Sequence, residues 1–442
     1  MAGNHPVELR LPSHGERKGK ETSSLETQRA VDEAARPELQ ISHRVRTIPE
    51  ALSIYVNQLV YDQRRKGRDI ITLSLGEAFF DIPAFDFEKL DFVRGYHYSD
   101  SRGIPELRKK IAEYYEKHYA APVSPDDEIL ISAGSKPVIF FAMQATLNPG
   151  DEILIHEPAW LSYQEQARLL DAEPRFIPYD CAVDDFHQHF TARTRMVVIN
   201  NPNNPAGRIY TKSELESLYS QCRPRGIYVL VDEAYSDFVV DDVFYSMAHV
   251  VPDKDGVIVV NSLSKNLGMS GWRVGYVISA PPLVNEILKI NQHIITCAPT
   301  ILQFYMARYF DDVLNVTLPQ VAETIEKRAR VAADIDRVGL KRMSGNSTFY
   351  FMVNIDPFPG TSLEFALHIL LTHQIAVVPG SAYGNSTERY VRVGIGAETE
   401  ERIHTALSLI KDTIHLNTFD SNQLFDQLAR ENISVFEAGR AS

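Results

Sequence analysis

Apolar and polar positions divide the chain into stretches of different period. Between 49 and 65, Leu52, Tyr55, Val56, Leu59 and Val60 recur at helical spacing, which predicts an amphipathic helix. ITLSLGEAFFDIP then reads as a short strand running into a loop. Through the middle, β-rich runs occupy 128–132, 152–158, 195–200, 227–233, 256–262 and 273–280. Helical patterns lie between most of them, as at 135–147, 161–170 and 211–222, the last opening on TKSEL, a capping-type start. Strands alternating with helices imply parallel strands joined by crossovers, and therefore a sheet covered on both faces.

From about 282 to 340 the pattern is long and helical. Beyond it, TFYFMVNI, QIAVVPG and RYVRVGIG read as strands, with SLEFALHILLTH and EERIHTALSLIKDTI as helices. These form a separate α+β lobe, completed by the early helix. The expectation is an α/β protein: a large domain with a mostly parallel sheet sandwiched by helices, plus a smaller α+β domain. The boundaries read as a flexible N-terminal arm at 1–40, the N-terminal part of the small domain at 41–75, the large domain at 76–309, the rest of the small domain at 310–415, and a C-terminal tail at 416–442. Within that tail, 422–436 fits one amphipathic helix.

Composition narrows the function classes. Of 442 residues, 45 are Lys or Arg and 58 are Asp or Glu, giving a formal charge of −13. That balance argues against broad nucleic-acid binding, which requires basic patches. The 44% hydrophobic content suits a sizeable core and excludes wholesale disorder. Cys181, Cys222 and Cys297 are scattered, so neither a disulfide framework nor a zinc site is expected. No apolar run reaches the roughly 18 residues of a membrane span. The first residues lack the apolar core of a secretory signal. A cytoplasmic location without membrane or nucleic-acid partners is the expectation. His187 and His189 flank a glutamine with no third ligand, and no metal is expected.

In crossover sheets, chemistry collects at the carboxyl ends of strands. There the runs deliver Asp232 with Tyr235, Asn261 to Lys265, Arg273 eight residues after that lysine, Asn204 in NPNNPAG, the AGSK turn at 133–136, and Trp160 in HEPAW. Together SLSKNLGMSGWRVGY, VDEAY, NPNNPAG and YSDSRGIPELRKKIAEYY resemble the class I/II aminotransferases of fold type I, which depend on pyridoxal 5'-phosphate. The likeness runs from about Leu73 to Ile414 and leaves out only the two ends of the chain.

The resemblance implies a seven-stranded type of sheet, this cofactor, and a role for each residue. A lysine amine forms an imine with the cofactor aldehyde and then moves a proton between substrate Cα and cofactor, and Lys265 matches it. Asp232 matches the carboxylate that keeps the pyridine nitrogen protonated. Tyr235 and Asn204 match the groups bonding the phenolic oxygen, and Trp160 the stacking aromatic. The phosphate requires cationic and N–H donors. Gly134, Ser135 and Lys136 open a helix, while Ser262, Ser264 and Arg273 add hydroxyls and a guanidinium. Tyr98 matches a tyrosine reaching the neighbouring subunit's cofactor, which implies a homodimer with shared active sites. Arg392 matches the arginine for the substrate α-carboxylate, and Gly76 the backbone position where the mobile N-terminal segment closes over substrate.

The implied reaction moves an amino group between an amino acid and a 2-oxo acid, ping-pong through an internal aldimine and pyridoxamine phosphate. A lyase or oxidase using the same cofactor is the alternative. Ala78 stands where the family usually has proline, and Ala206 where it has threonine. Asn346, Ser347 and Thr348 replace a more apolar run and are expected near the substrate entrance. In the branch of the family handling acidic amino acids, a lysine at the Lys136 position contacts the distal carboxylate. Aspartate or glutamate is therefore the expected amino donor.

Overall fold

The computed structural model describes residues 39–239, 244–415, 419–434 and 436, so most of the expected arm lies outside the described residues. In chain order the strands are β1 (Ile71–Thr72), β2 (Ile129–Ser132), β3 (Glu152–His156), β4 (Glu173–Ile177), β5 (Thr194–Asn200), β6 (Tyr228–Asp232), β7 (Val257–Ser262), β8 (Gly275–Ser279), β9 (Tyr350–Asn354), β10 (Ile375–Ala376), β11 (Val378–Pro379) and β12 (Tyr390–Gly394). Seven form one sheet in the order β2-β8-β7-β6-β5-β3-β4.

The sheet is mixed. β4, β3, β5, β6 and β7 are mutually parallel, while β8 runs antiparallel to both β7 and β2. The reversal has a local cause. The twelve residues between β7 and β8 hold only the short 3-10 turn Ser270–Trp272, with no helix to cross a face of the sheet as a parallel return usually requires. β4 is the strand that periodicity did not disclose: it lies on the sheet edge, carries Pro174, and buries little of its length. Proline is tolerated at such an edge, where one N–H has no ladder partner. The central strands β5, β6 and β7 are almost wholly buried, because helices cover both faces.

The helix Lys212–Cys222 begins with the expected capping box, Thr211 and Glu214 bonding each other's backbone N–H. Pro281–Ile294 is followed by Thr300–Arg337, a 38-residue helix with a kink at Tyr309 and Pro319 in its interior. Its Tyr305 to Leu314 face packs into the core under the large sheet. From Val321 to Ile335 it packs into the second lobe.

That lobe holds the antiparallel sheet β11-β12-β9 and the parallel pair β1-β10, with helices Ser362–His373 and Glu400–Ile414. Helix Leu52–Arg65 joins it through Leu52, Tyr55, Val56, Leu59 and Val60, the stripe seen in the sequence. Ser421–Arg430 forms a further helix, whose Leu424 and Leu428 pack among Leu367, Leu370 and Leu371 of the same lobe. The Gly394 N–H donates to the Leu73 carbonyl at 2.7 Å, drawing the segment after β1 across β12. Among the described residues, no helix is long and apolar enough to cross a membrane, and no cluster of three or more His, Cys, Asp or Glu could hold a metal ion.

Candidate active site

A cavity of about 740 Å³ lies where the carboxyl edge of the large sheet meets the small lobe. Parallel β5, β6 and β7 all end at this edge, and the register sets Asn200 opposite Asp232. One strand direction thus delivers Asn200, Asp232 and Ser262 to the same wall.

Asp232 is buried and hydrogen-bonded from two sides. The Tyr163 hydroxyl donates to Oδ2 at 2.7 Å and the Ala234 N–H to Oδ1 at 3.1 Å. Burial pushes the carboxyl pKa up, and these two donors with the Lys265 charge oppose the rise. The net direction is upward.

Lys265 sits in the loop after β7, with its amine inside the cavity donating to the Gly76 carbonyl. Desolvation lowers its pKa to about 8; Arg392 and Arg273 add to the fall, while Glu77 and Asp232 oppose it. About a tenth of the amine is therefore neutral at pH 7, far more than for an ordinary lysine, as a nucleophile or proton carrier requires.

The opposite end gathers donors of the kind that suit an anion. Helix Ser135–Thr146 starts here with Gly134 as its N-cap, and no side chain caps its free N–H groups. Arg273 has left-handed backbone, φ 55°, and its Nη1 donates to the Ser270 carbonyl at 2.7 Å. A Cβ on Gly134 (φ +98°) would collide with the Arg273 guanidinium, and one on Gly275 with the Ser135 nitrogen. Both glycines permit this close approach of arginine, helix start and strand. Ser262 and Ser264 face the same space. Lys136 is exposed at the rim with its ammonium 4.9 Å from the centre of the Trp160 ring. Partial desolvation of the ammonium and the Arg273 charge lower its pKa.

From the small lobe, β12 contributes Arg392. It is buried, lies 4.3 Å from the Tyr350 ring centre, donates from Nη2 to the Ser74 carbonyl at 2.8 Å, and donates from Nη1 to Asn204 Oδ1 at 3.3 Å. Its Nε has no partner among the described residues. Asn204 Nδ2 donates to the Tyr235 hydroxyl at 3.3 Å, and Tyr235 shares a 3.0 Å hydrogen bond with Tyr350. The guanidinium thus retains donor capacity for a carboxylate.

Of the residues singled out in the sequence, Gly76, Ser135, Lys136, Trp160, Asn204, Asp232, Tyr235, Ser262, Ser264, Lys265, Arg273 and Arg392 line this one cavity. Gly134 abuts it through Arg273. Tyr98 does not reach it within the chain and is 84% exposed. The 346–348 segment is placed differently from the expectation. Ser347 and Thr348 are fully buried, and the Ser347 hydroxyl donates to the Gly207 carbonyl. Tyr350, from the strand that follows, lines the cavity instead. Sequence reasoning also missed Tyr163, Asn200 and Glu77. Two of these had a local signal: Glu77 follows Gly76, and Tyr163 opens the helix after Trp160.

An enclosed amine, a buried carboxylate, an anion cradle and a buried arginine, set at the strand ends of a two-lobed α/β fold, define a group-transfer enzyme of the fold type I class. The chain belongs to the aminotransferase class I and II family, whose model matches residues 73–410. An aspartate aminotransferase of Thermotoga maritima is 29% identical over 388 residues, 85% of this chain and 99% of that one. A (5-formylfuran-3-yl)methyl phosphate transaminase of Methanocaldococcus jannaschii is 31% identical over 354 residues, 79% of this chain and 93% of that one. Among solved structures, the aspartate aminotransferase from Thermus thermophilus with maleate has a TM-score of 0.77 at 26% identity, covering 84% of this chain and all of that one. An aromatic aminotransferase from Pyrococcus horikoshii has a TM-score of 0.71 at 28% identity, covering 83% of this chain and all of that one. The chain is an aminotransferase, and a lyase or oxidase reading is not favoured.

Proposed function

We propose that the cavity holds pyridoxal 5'-phosphate and passes an amino group from an amino acid, aspartate or glutamate by preference, to a 2-oxo acid. The observation that carries this is the Lys265 amine, its pKa held near 8, in one cavity with Asp232, Arg273 and Arg392. The donor set suits the cofactor. Arg273, Ser262, Ser264 and the uncapped helix start at Ser135 would hold its phosphate. Asp232 would pair with its ring nitrogen, Asn204 and Tyr235 with its phenolic oxygen, and Trp160 with its ring face.

When bound, pyridoxal phosphate supplies an electron sink for charge developing at substrate Cα and carries the amino group. Arg392 binds the substrate α-carboxylate by its planar fork, which fixes the direction of the Cα–H bond. Lys265 then takes the Cα proton at Nζ and returns it, acting as base and acid in turn. Gly76 aligns the amine through its carbonyl. Closure of the 73–79 segment over the cavity would exclude water. Lys136, at the rim, offers a cation to a second carboxylate on the substrate side chain. Two findings support an acidic donor: the exposed position of Lys136, and similarity to proteins named aspartate aminotransferase.

A homodimer belongs to the same proposal. Tyr98, Tyr96 and Val93 are 84%, 79% and 73% exposed on one short stretch, more apolar surface than a solvated loop usually carries. Such a patch is suited to a second copy, with Tyr98 completing the neighbour's cradle.

The deciding experiment mixes the cofactor-loaded enzyme with single amino acids in the absence of any 2-oxo acid. Loss of the cofactor's visible absorbance, fastest with aspartate or glutamate, is expected. No response to any amino acid would defeat the transamination reading. A response without acidic preference, or a preference unchanged in Lys136→Ala, would defeat the donor assignment alone.

A further inference from the structure

Behind the cavity wall lies a buried polar node that the reaction as described does not use. Its centre is Ser236, 1% exposed. The Ser236 hydroxyl oxygen accepts from Asn261 Nδ2 at 3.1 Å and from Asn266 Nδ2 at 2.8 Å, and lies 2.7 Å from the Tyr119 hydroxyl. Asn261 and Asn266 are themselves 0% and 1% exposed. Tyr119 donates to Asp237 Oδ1 at 2.6 Å, and Tyr114 donates to Oδ2 of the same carboxylate at 2.5 Å.

Ser236 uses its full bonding capacity. A serine oxygen has two lone pairs and one proton. The two asparagine amides fill the lone pairs, and the proton is left for the Tyr119 hydroxyl. Tyr119 and Tyr114 lie 2.5 Å apart and both reach Asp237, whose carboxyl pKa burial pushes up. The hub is thus pinned from three directions.

What the node joins is specific. Ser236 follows Tyr235, Asn266 follows Lys265, and Asn261 precedes Ser262. Each partner is one residue from a cavity residue, and the two loops concerned come from adjacent strands, β6 and β7. Asn266 Oδ1 also accepts from the Asp237 N–H at 3.4 Å, and Asn261 Oδ1 from the Ser262 N–H at 2.7 Å, so the amides grip backbone as well as side chain. A well-packed apolar set of the same shape could stabilise the fold as well as these polar groups do. What a satisfied polar network adds is a single geometry.

We propose that Ser236 and Asn266 are positioning residues whose shared hydrogen bond fixes Lys265 relative to Tyr235 and so aligns the amine with substrate Cα. This rests on the reading that the cavity holds pyridoxal phosphate. The alignment matters because a misplacement of about 1 Å at a reacting group can cost on the order of a hundredfold in rate.

The test is a double-mutant cycle on the full-length, cofactor-loaded enzyme with Ser236→Ala, Asn266→Ala and the pair. Two properties are read: kcat and KM for the amino donor, and the pH midpoint of the bound cofactor's visible absorbance. Each single variant is expected to lower kcat about tenfold with KM changed less than about twofold. Each should also shift the absorbance midpoint by about half a pH unit. The double variant should lose about tenfold rather than a hundredfold, because both changes remove one shared bond.

Single variants with kcat and midpoint at the wild-type values overturn the proposal. So does a double variant whose losses multiply, the mark of two independent packing defects. If an alanine variant does not fold, Ser236→Cys, which keeps the shape but accepts weakly, must give the same kcat loss and midpoint shift. A wild-type enzyme with no visible cofactor band would defeat the cofactor reading together with this one. A band and activity that the variants leave intact defeat this one alone.

Discussion

Tyr163→Phe removes one oxygen atom from the site and leaves its packing in place. The Tyr163 hydroxyl donates to Asp232 Oδ2 at 2.7 Å, and the two side chains are 1% and 7% exposed, so water cannot replace the bond. A hydrogen bond to an ionised group contributes about 1.5–3 kcal/mol. Loss of that support falls on the carboxylate proposed to hold the cofactor's ring nitrogen. At about 1.4 kcal/mol per decade, cofactor affinity should fall roughly tenfold to a hundredfold, measurable by equilibrium dialysis against pyridoxal phosphate. The pH dependence gives a second sign. Burial raises the Asp232 pKa, and the Tyr163 donor, which favours the charged form, holds it down. Without the hydroxyl the pKa rises further. As pH is lowered, the variant should therefore lose affinity at a higher pH than the wild type. Affinity within threefold of wild type, with the acid limb unmoved, would refute the reasoning. It would mean that Ala234 N–H and the nearby Lys265 suffice to keep the carboxylate ionised.

Four further outcomes follow from the same geometry. Lys265→Ala should abolish both transamination and the cofactor's visible absorbance; turnover with that absorbance present contradicts the role given to the amine. Arg392→Lys should lower kcat/KM for amino acids by about tenfold to a hundredfold, since an ammonium cannot reproduce the planar fork, and steady-state kinetics would check this. Gly134→Ala forces a side chain into a backbone region costing about 1–3 kcal/mol and against the Arg273 guanidinium, so competition by inorganic phosphate for the cradle should weaken in direct binding assays. Tyr98→Phe mixed with Lys265→Ala should be more active than the same amount of Tyr98→Phe alone, because in the proposed mixed dimer one site regains both groups; no gain on mixing contradicts a shared site.

The large sheet was legible because its central strands are buried on both faces and read as unbroken apolar runs. β4 escaped notice for the converse reason: an edge strand with alternating exposed residues and a proline carries little periodic signal. The direction of β8 was hidden in a different way. Its residues resemble those of a parallel strand, and it turns back after a connection from β7 that carries no crossover helix. The docking of Ser421–Arg430 depended on where its apolar stripe would find a partner, a tertiary fact with no local trace.

In the site, motifs at strand ends revealed the residues that face the cavity, while the groups that steady them lay elsewhere in the chain. Tyr350 is 115 positions from Tyr235, and Ser74 is 318 from Arg392. The first pair forms only where the two lobes meet, and the second only where the segment after β1 crosses β12, so spacing along the chain cannot announce them. The 346–348 segment shows the cost of reading by position alone, since Ser347 and Thr348 are buried and the Ser347 hydroxyl turns to the Gly207 backbone.

The charge of −13 also gains a second meaning once the cavity is drawn. Lys136, Arg273 and Arg392 gather around one amine, and the last two hold the Lys265 pKa down. The cations that would receive anions thus join desolvation, the larger cause, in lowering the proton affinity of Nζ. An anion on Arg273, or a carboxylate on Arg392, cancels part of that repulsion and raises the proton affinity of Nζ. Filling the site therefore moves Lys265 from an amine ready to attack toward one better able to accept a proton from Cα. In the proposed reaction, binding and basicity would be coupled through these two guanidinium groups.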